Sequence, residues 1–87
     1  MHLEKTIAAI STAEAPGGIG IVRVSGPEAL SIADRVFKAK NGGSLSEARG
    51  YTARFGGAFT RDGEKLDDVV ALVFRAPKSY TGEDVAE

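Results

Sequence analysis

The 87-residue sequence has no cysteine and a single histidine, His2. Without thiols the chain forms no disulfide and presents no thiolate metal ligand. One imidazole at the N-terminus, with no Cys elsewhere, argues against a self-contained nucleophile–base triad and against a metal role for His2. An excess of one charge is missing as well. Eleven Lys and Arg stand against 12 Asp and Glu, for a formal net charge of −1, so the basic surplus usual in a stand-alone nucleic-acid binder is absent. Long apolar runs are missing too. The longest, "VVALVF" at 69–74, is far too short to span a bilayer, and "MHLEKTIAAIST" at the start does not read as a secretory signal. No internal repeat or low-complexity stretch is present.

What remains is ordinary for a soluble globular domain: 43% apolar and 26% charged residues. The length suits one domain, which buries about 60–65% of the surface exposed when unfolded. The sequence stops at "TGEDVAE", just as an apolar segment opens at Val85. The expectation is a domain spanning 1–87 and cut short on its C-terminal side.

Residues 5–11, "KTIAAIS", are apolar on both faces and read as a strand. Residues 12–17 form a loop marked by Pro16 and Gly17. Residues 18–25, "GIGIVRVS", read as a strand internal to a sheet, because both faces are largely apolar. The period then changes. Between Pro27 and Lys38 apolar residues fall at 29, 30, 32, 33, 36 and 37, which predicts a helix with a wide apolar stripe. Ser25 and Glu28 have capping-box spacing, Pro27 suits the first turn, Lys38 and Lys40 suit the C-terminus, and "NGG" at 41–43 ends it. Asp62-Gly63 marks a hairpin between strands at 51–60 and 65–75. Gly56-Gly57 predicts a bulge or a close backbone approach. The second hairpin strand is apolar on both faces from Val69 onward and reads as central. The resulting fold class is α+β: a mixed or antiparallel sheet of four to five strands with at least one packed helix.

The glycines at 17, 18 and 20 precede a strand, whereas a dinucleotide fingerprint places them between strand and helix. No Lys-Ser or Lys-Thr closes the run as a P-loop requires. Gly17-Gly18 therefore reads as a tight turn into a strand. Ser25-Gly26-Pro27 opens the predicted helix, but Pro27 removes a donor and Glu28 competes with any anion. Asp67 and Asp68 point to opposite faces of a strand and do not converge on a metal. Glu83, Asp84 and Glu87 read as solvated surface, and Tyr80 as cover for the sheet edge. Arg23 is different, because it interrupts an apolar strand with a charge that needs a partner if buried. It is either a strand-end arginine with its head in water or an anion or carboxylate clamp in a cleft.

"TIAAIST", "GGIGIVRVSGPEAL" and "APKSYTGEDVAE", in this order and spacing, closely resemble the N-terminal domain of the MnmE (TrmE) family, bacterial tRNA modification GTPases. The resemblance covers essentially the whole chain; one departure is Glu14-Ala15-Pro16 before the paired glycines. It implies a fold similar to the folate-binding fold of the glycine-cleavage T-protein, a homodimer, and a bound 5-formyl-tetrahydrofolate or related one-carbon folate. It further implies a cytoplasmic protein in which a helical domain and a GTPase domain, holding GTP, potassium and magnesium, lie outside these residues. This fragment would then be inactive alone. With the flavoprotein MnmG, the full protein would install a carboxymethylaminomethyl group on wobble uridine 34 of tRNA. Carried over by position, the folate-contacting arginine falls on Arg23 and a folate-contacting glutamate on Glu87. A lysine contact falls beyond residue 87. A carboxylate can accept paired N–H donors of a pterin, and an arginine can meet carboxylate or carbonyl oxygens. As a chain end, Glu87 is expected to be out of place and folate affinity weak.

Overall fold

A computed structural model of the chain describes residues 5–10, 19–79 and 82–87. Its elements in chain order are β1 (Ile7–Ile10), β2 (Val22–Ser25), α1 (Ala29–Ala33), β3 (Phe37–Ala39), β4 (Thr52–Phe59), β5 (Lys65–Phe74) and β6 (Val85–Ala86). The six strands form one sheet in the order β1-β2-β6-β5-β4-β3, and every pairing is antiparallel. The predicted loop at 12–17, Gly17, Gly18, His2 and Tyr80 lie outside the described residues.

The expected α+β class, with four to five strands and a packed helix, is overturned. The predicted helix over Pro27–Lys38 is five residues long; after a turn at 34–36 its end is extended, and this strand, Phe37–Ala39, supplies the sixth. Two physical reasons account for this. The turn at 34–36 ends the helix, with the Val36 amide donating to the Ala33 carbonyl, and Phe37 to Ala39 find backbone partners in Ala58 to Gly56 of β4. Asp34 then turns outward from the helix end. Its carboxylate accepts the amides of Leu45 (2.7 Å) and Ser46 (3.1 Å) and the Ser46 hydroxyl (2.5 Å). The expected capping box does not form either. Ser25 stays in β2, no side chain caps the helix start, and the Glu28 amide donates to Thr6 Oγ1 at 2.9 Å. The chain enters the helix through Gly26 at φ +139°, where an added Cβ would lie 2.4 Å from Thr6 Cα, so only glycine fits.

The hairpin strands agree with the periodicity, whereas the strand expected at 18–25 is confined among the described residues to Val22–Ser25. β2 is internal between β1 and β6, and β5 is internal between β6 and β4. The hairpin turns at Asp62-Gly63, with Gly63 at φ +85°. At Gly56 the close approach is to β3, since a Cβ there would meet the Lys38 carbonyl oxygen at 2.1 Å. A register shift follows at Ala58/Phe59.

The core lies on one face of the sheet. Leu30 and Ala33 of α1, together with Leu45 and Ala48 from the connection, pack over Phe37, Ala71, Val73 and Ala86. Arg75 fastens that connection. Its guanidinium donates to the carbonyls of Ser46 (2.6 Å) and Ala48 (3.0 and 3.1 Å) and pairs with Asp84 at 3.3 Å. Asp84 in turn accepts the Ala76 amide at 2.9 Å.

Candidate functional site

Val24 pairs with the core residue Ala86, so strand alternation places its neighbour Arg23 on the sheet face opposite the main core. β6 continues the same logic. Val24 pairs with Ala86 and Ser25 with Val85, so the next position along brings Arg23 opposite Glu87. Glu87 is held in line by a reciprocal pair of backbone bonds with Leu72, at 2.7 and 2.9 Å. The expectation that this residue would be out of place is therefore corrected: it extends the sheet between β2 and β5.

The two charges meet. Arg23 Nε donates to Glu87 Oε2 at 2.6 Å, and Nη2 lies 2.6 Å from the same oxygen. The arginine side chain is 35% exposed and the carboxylate 12%. Arg23 is thus neither a strand-end side chain waving in water nor buried unpaired. Residues 64 positions apart in sequence form one charge-assisted contact between β2 and the position that follows β6.

The acidic cluster near the end is also not free surface. Glu83 is buried, and its backbone carbonyl accepts the Ser79 hydroxyl; Asp84 pairs with Arg75. The sequence signal that could have found the Arg23 partner was present. Glu87 follows the apolar pair Val85-Ala86 as a lone charge, just as Arg23 interrupts its own apolar strand. Asp67 and Asp68 do point apart, opposite Ala58 and Gly57. The Lys65 ammonium, 2.5 Å from Asp68, holds that carboxyl below its ordinary range through hydrogen bond and charge. Among the described residues no group of three or more His, Cys, Asp or Glu could hold a metal ion. No helix among them is long and apolar enough to cross a membrane.

The class defined by this geometry is a small antiparallel β-sheet domain carrying an arginine–carboxylate pair on one face. The particular family follows from comparison with known sequences. The profile described as "GTP-binding protein TrmE N-terminus" matches residues 6–87. Relatives named tRNA modification GTPase MnmE include that of Symbiobacterium thermophilum, 50% identical over 84 residues, which are 97% of this chain and 18% of the relative. That of Listeria innocua is 54% identical over 82 residues, 94% of this chain and 17% of the relative. That of Geobacter sulfurreducens is 51% identical over 87 residues, the whole chain and 19% of the relative. The chain belongs to the TrmE N-terminus family, the N-terminal domain of MnmE. It spans less than a fifth of the length of these relatives.

Proposed function

We propose that this chain is the folate-binding and homodimerising N-terminal module of a cytoplasmic tRNA modification GTPase, the protein that works with MnmG on wobble uridine 34. Potassium, magnesium and GTP would belong to the GTPase domain outside these residues. The observation that carries the folate reading is the meeting of Arg23 and Glu87 on one sheet face. The donor set fits a reduced pterin. The Glu87 carboxylate can accept adjacent N–H groups, and the Arg23 guanidinium can donate to carbonyl or carboxylate oxygens. When bound, the folate would supply a one-carbon unit. The residues of this chain would bind and orient it.

Support for the homodimer comes from the β1 edge. All four residues of β1 are exposed, with Ile7 at 52% and Ile10 at 56%, and Ile10 pairs with Val22, itself 57% exposed. An apolar strand edge of this kind is a template for association.

A second reading, an interaction module without ligand, is favoured by the same ion pair, because each charge already satisfies the other. Calorimetric titration of 5-formyl-tetrahydrofolate into the chain, with Arg23→Ala alongside, separates the two. The folate reading expects a saturable heat that Arg23→Ala abolishes. No heat with the unaltered chain, or equal heat from the variant, sinks it.

A further inference from the structure

The sheet face that carries Arg23 and Glu87 has a different character at its far end. There Lys38 of β3, Phe55 and Phe59 of β4, and Lys65 and Asp68 of β5 line an open groove of about 420 Å³, together with Lys40 just past β3. The registers explain the assembly. Lys38 pairs with Gly57, Gly57 with Asp68, Phe55 with Val70 and Phe59 with Lys65, so these side chains share one face. Gly57 keeps the floor flat, since a Cβ there would come within 2.9 Å of the Phe59 ring and 3.3 Å of the Lys65 stem.

Two features point to a ligand class. The first is charge. Asp68 pairs with Lys65 at 2.5 Å and also feels the charge of Lys40, and it is the one carboxylate lining the groove against the ammonium groups of Lys38, Lys40 and Lys65. The chain as a whole carries −1, yet this groove sets three ammonium groups against one carboxylate. The second is the aromatic surface beneath them. Lys38 Nζ sits 5.2 Å from the centre of the Phe59 ring and Lys40 Nζ 5.8 Å from that of Phe55; the Phe55 residue is 53% exposed. Cations beside the exposed Phe55 ring and the half-buried Phe59 ring combine the two elements from which single-stranded nucleic-acid sites are made: a π-face for a base and a cation for the adjacent phosphate. An acidic peptide would satisfy the lysines but bring no flat partner for Phe55.

We propose that this lysine–phenylalanine shelf binds single-stranded RNA, stacking a base on Phe55 and holding phosphates with Lys38 and Lys40. The shelf is independent of the Arg23–Glu87 site and does not rest on the folate reading. The lysines, one in β3 and one two residues on in the turn that follows, are at most roughly 7 Å apart along the backbone, so they engage neighbouring parts of one chain.

The test is fluorescence anisotropy of a labelled uridine dodecamer titrated with the 87-residue chain at 50 and 200 mM salt. Saturable binding is expected, with a slope of log affinity against log salt near −1.4 for two phosphates on a single strand. The double variant Lys38→Ala/Lys40→Ala should weaken it about tenfold or more. Phe55→Ala and Phe55→Leu should each weaken it at least about fivefold, the leucine variant keeping apolar bulk without a π-face. Lys78→Ala, at an exposed cation outside the groove, should leave it unchanged, and titration with folate reads the Arg23–Glu87 site separately. The proposal is overturned by no rise in anisotropy at 50 mM salt, or by binding that survives both Phe55 variants. It is equally overturned if duplex RNA or poly-glutamate displaces the probe as well as unlabelled single strand does.

Discussion

At the scale of the residue, the contact between Arg23 and Glu87 decides how this domain accommodates charge in its sheet. A guanidinium and a carboxylate meeting at 2.6 Å, the acid only 12% exposed, lose hydration that their mutual attraction must offset. Removing one partner therefore costs more than removing both. Arg23→Met leaves the carboxylate part-buried and should destabilise the fold by about 1–3 kcal/mol, read as a shift in the urea midpoint. Adding Glu87→Leu should recover most of that loss, and a double variant no more stable than Arg23→Met alone would show the pair to be unimportant to folding. The same contact bears on ligand binding, because any folate that uses both groups must first separate them or bridge them.

At the scale of the element, the short helix shows how tertiary partners outweigh local pattern. Six apolar positions between 29 and 37 have helical spacing, yet only Ala29–Ala33 is helical. An extended Phe37–Ala39 gains the backbone bonds of β4 and buries the Phe37 ring, 7% exposed, in the core. Asp34 secures the change of direction by binding Leu45 and Ser46. Asp34→Ala should therefore cost about 1–3 kcal/mol, and hydrogen exchange at the Leu45 and Ser46 amides should accelerate more than at β4 or β5. Uniform acceleration across the chain would mean that Asp34 does not act through this local link. Propensity alone could not distinguish these outcomes, because a three-residue edge strand carries almost no periodic signal of its own.

At the scale of the whole molecule, one covered face and one open face are the consequence of a single short helix. The helix and the 45–48 connection cover only the core side. On the opposite side Phe55 and Val70 remain more than half exposed, as do Ile7 and Ile10 at the β1 edge. Exposed apolar surface on this scale, in a chain of 87 residues, favours a partner. Sedimentation velocity at rising concentration should show a dimer, and Ile10→Lys on the β1 edge should return it to monomer. A monomer at every concentration would exclude the homodimer, and a dimer untouched by Ile10→Lys would move the interface away from β1.

The sequence by itself determined the family, the long hairpin strands, the Asp62-Gly63 turn and that Arg23 is a charge set in an apolar strand. Each of these rests on local chemistry: specific words, two-residue alternation, a glycine at positive φ, a charge in an apolar strand. Only the tertiary structure decided that the partner was Glu87, that the helix yields to a sixth strand, and that lysines expected at a helix end instead line an aromatic groove. Those outcomes depend on which strands lie side by side, and β6 meets β2 through contacts between residues some 60 positions apart, where no local pattern records the pairing.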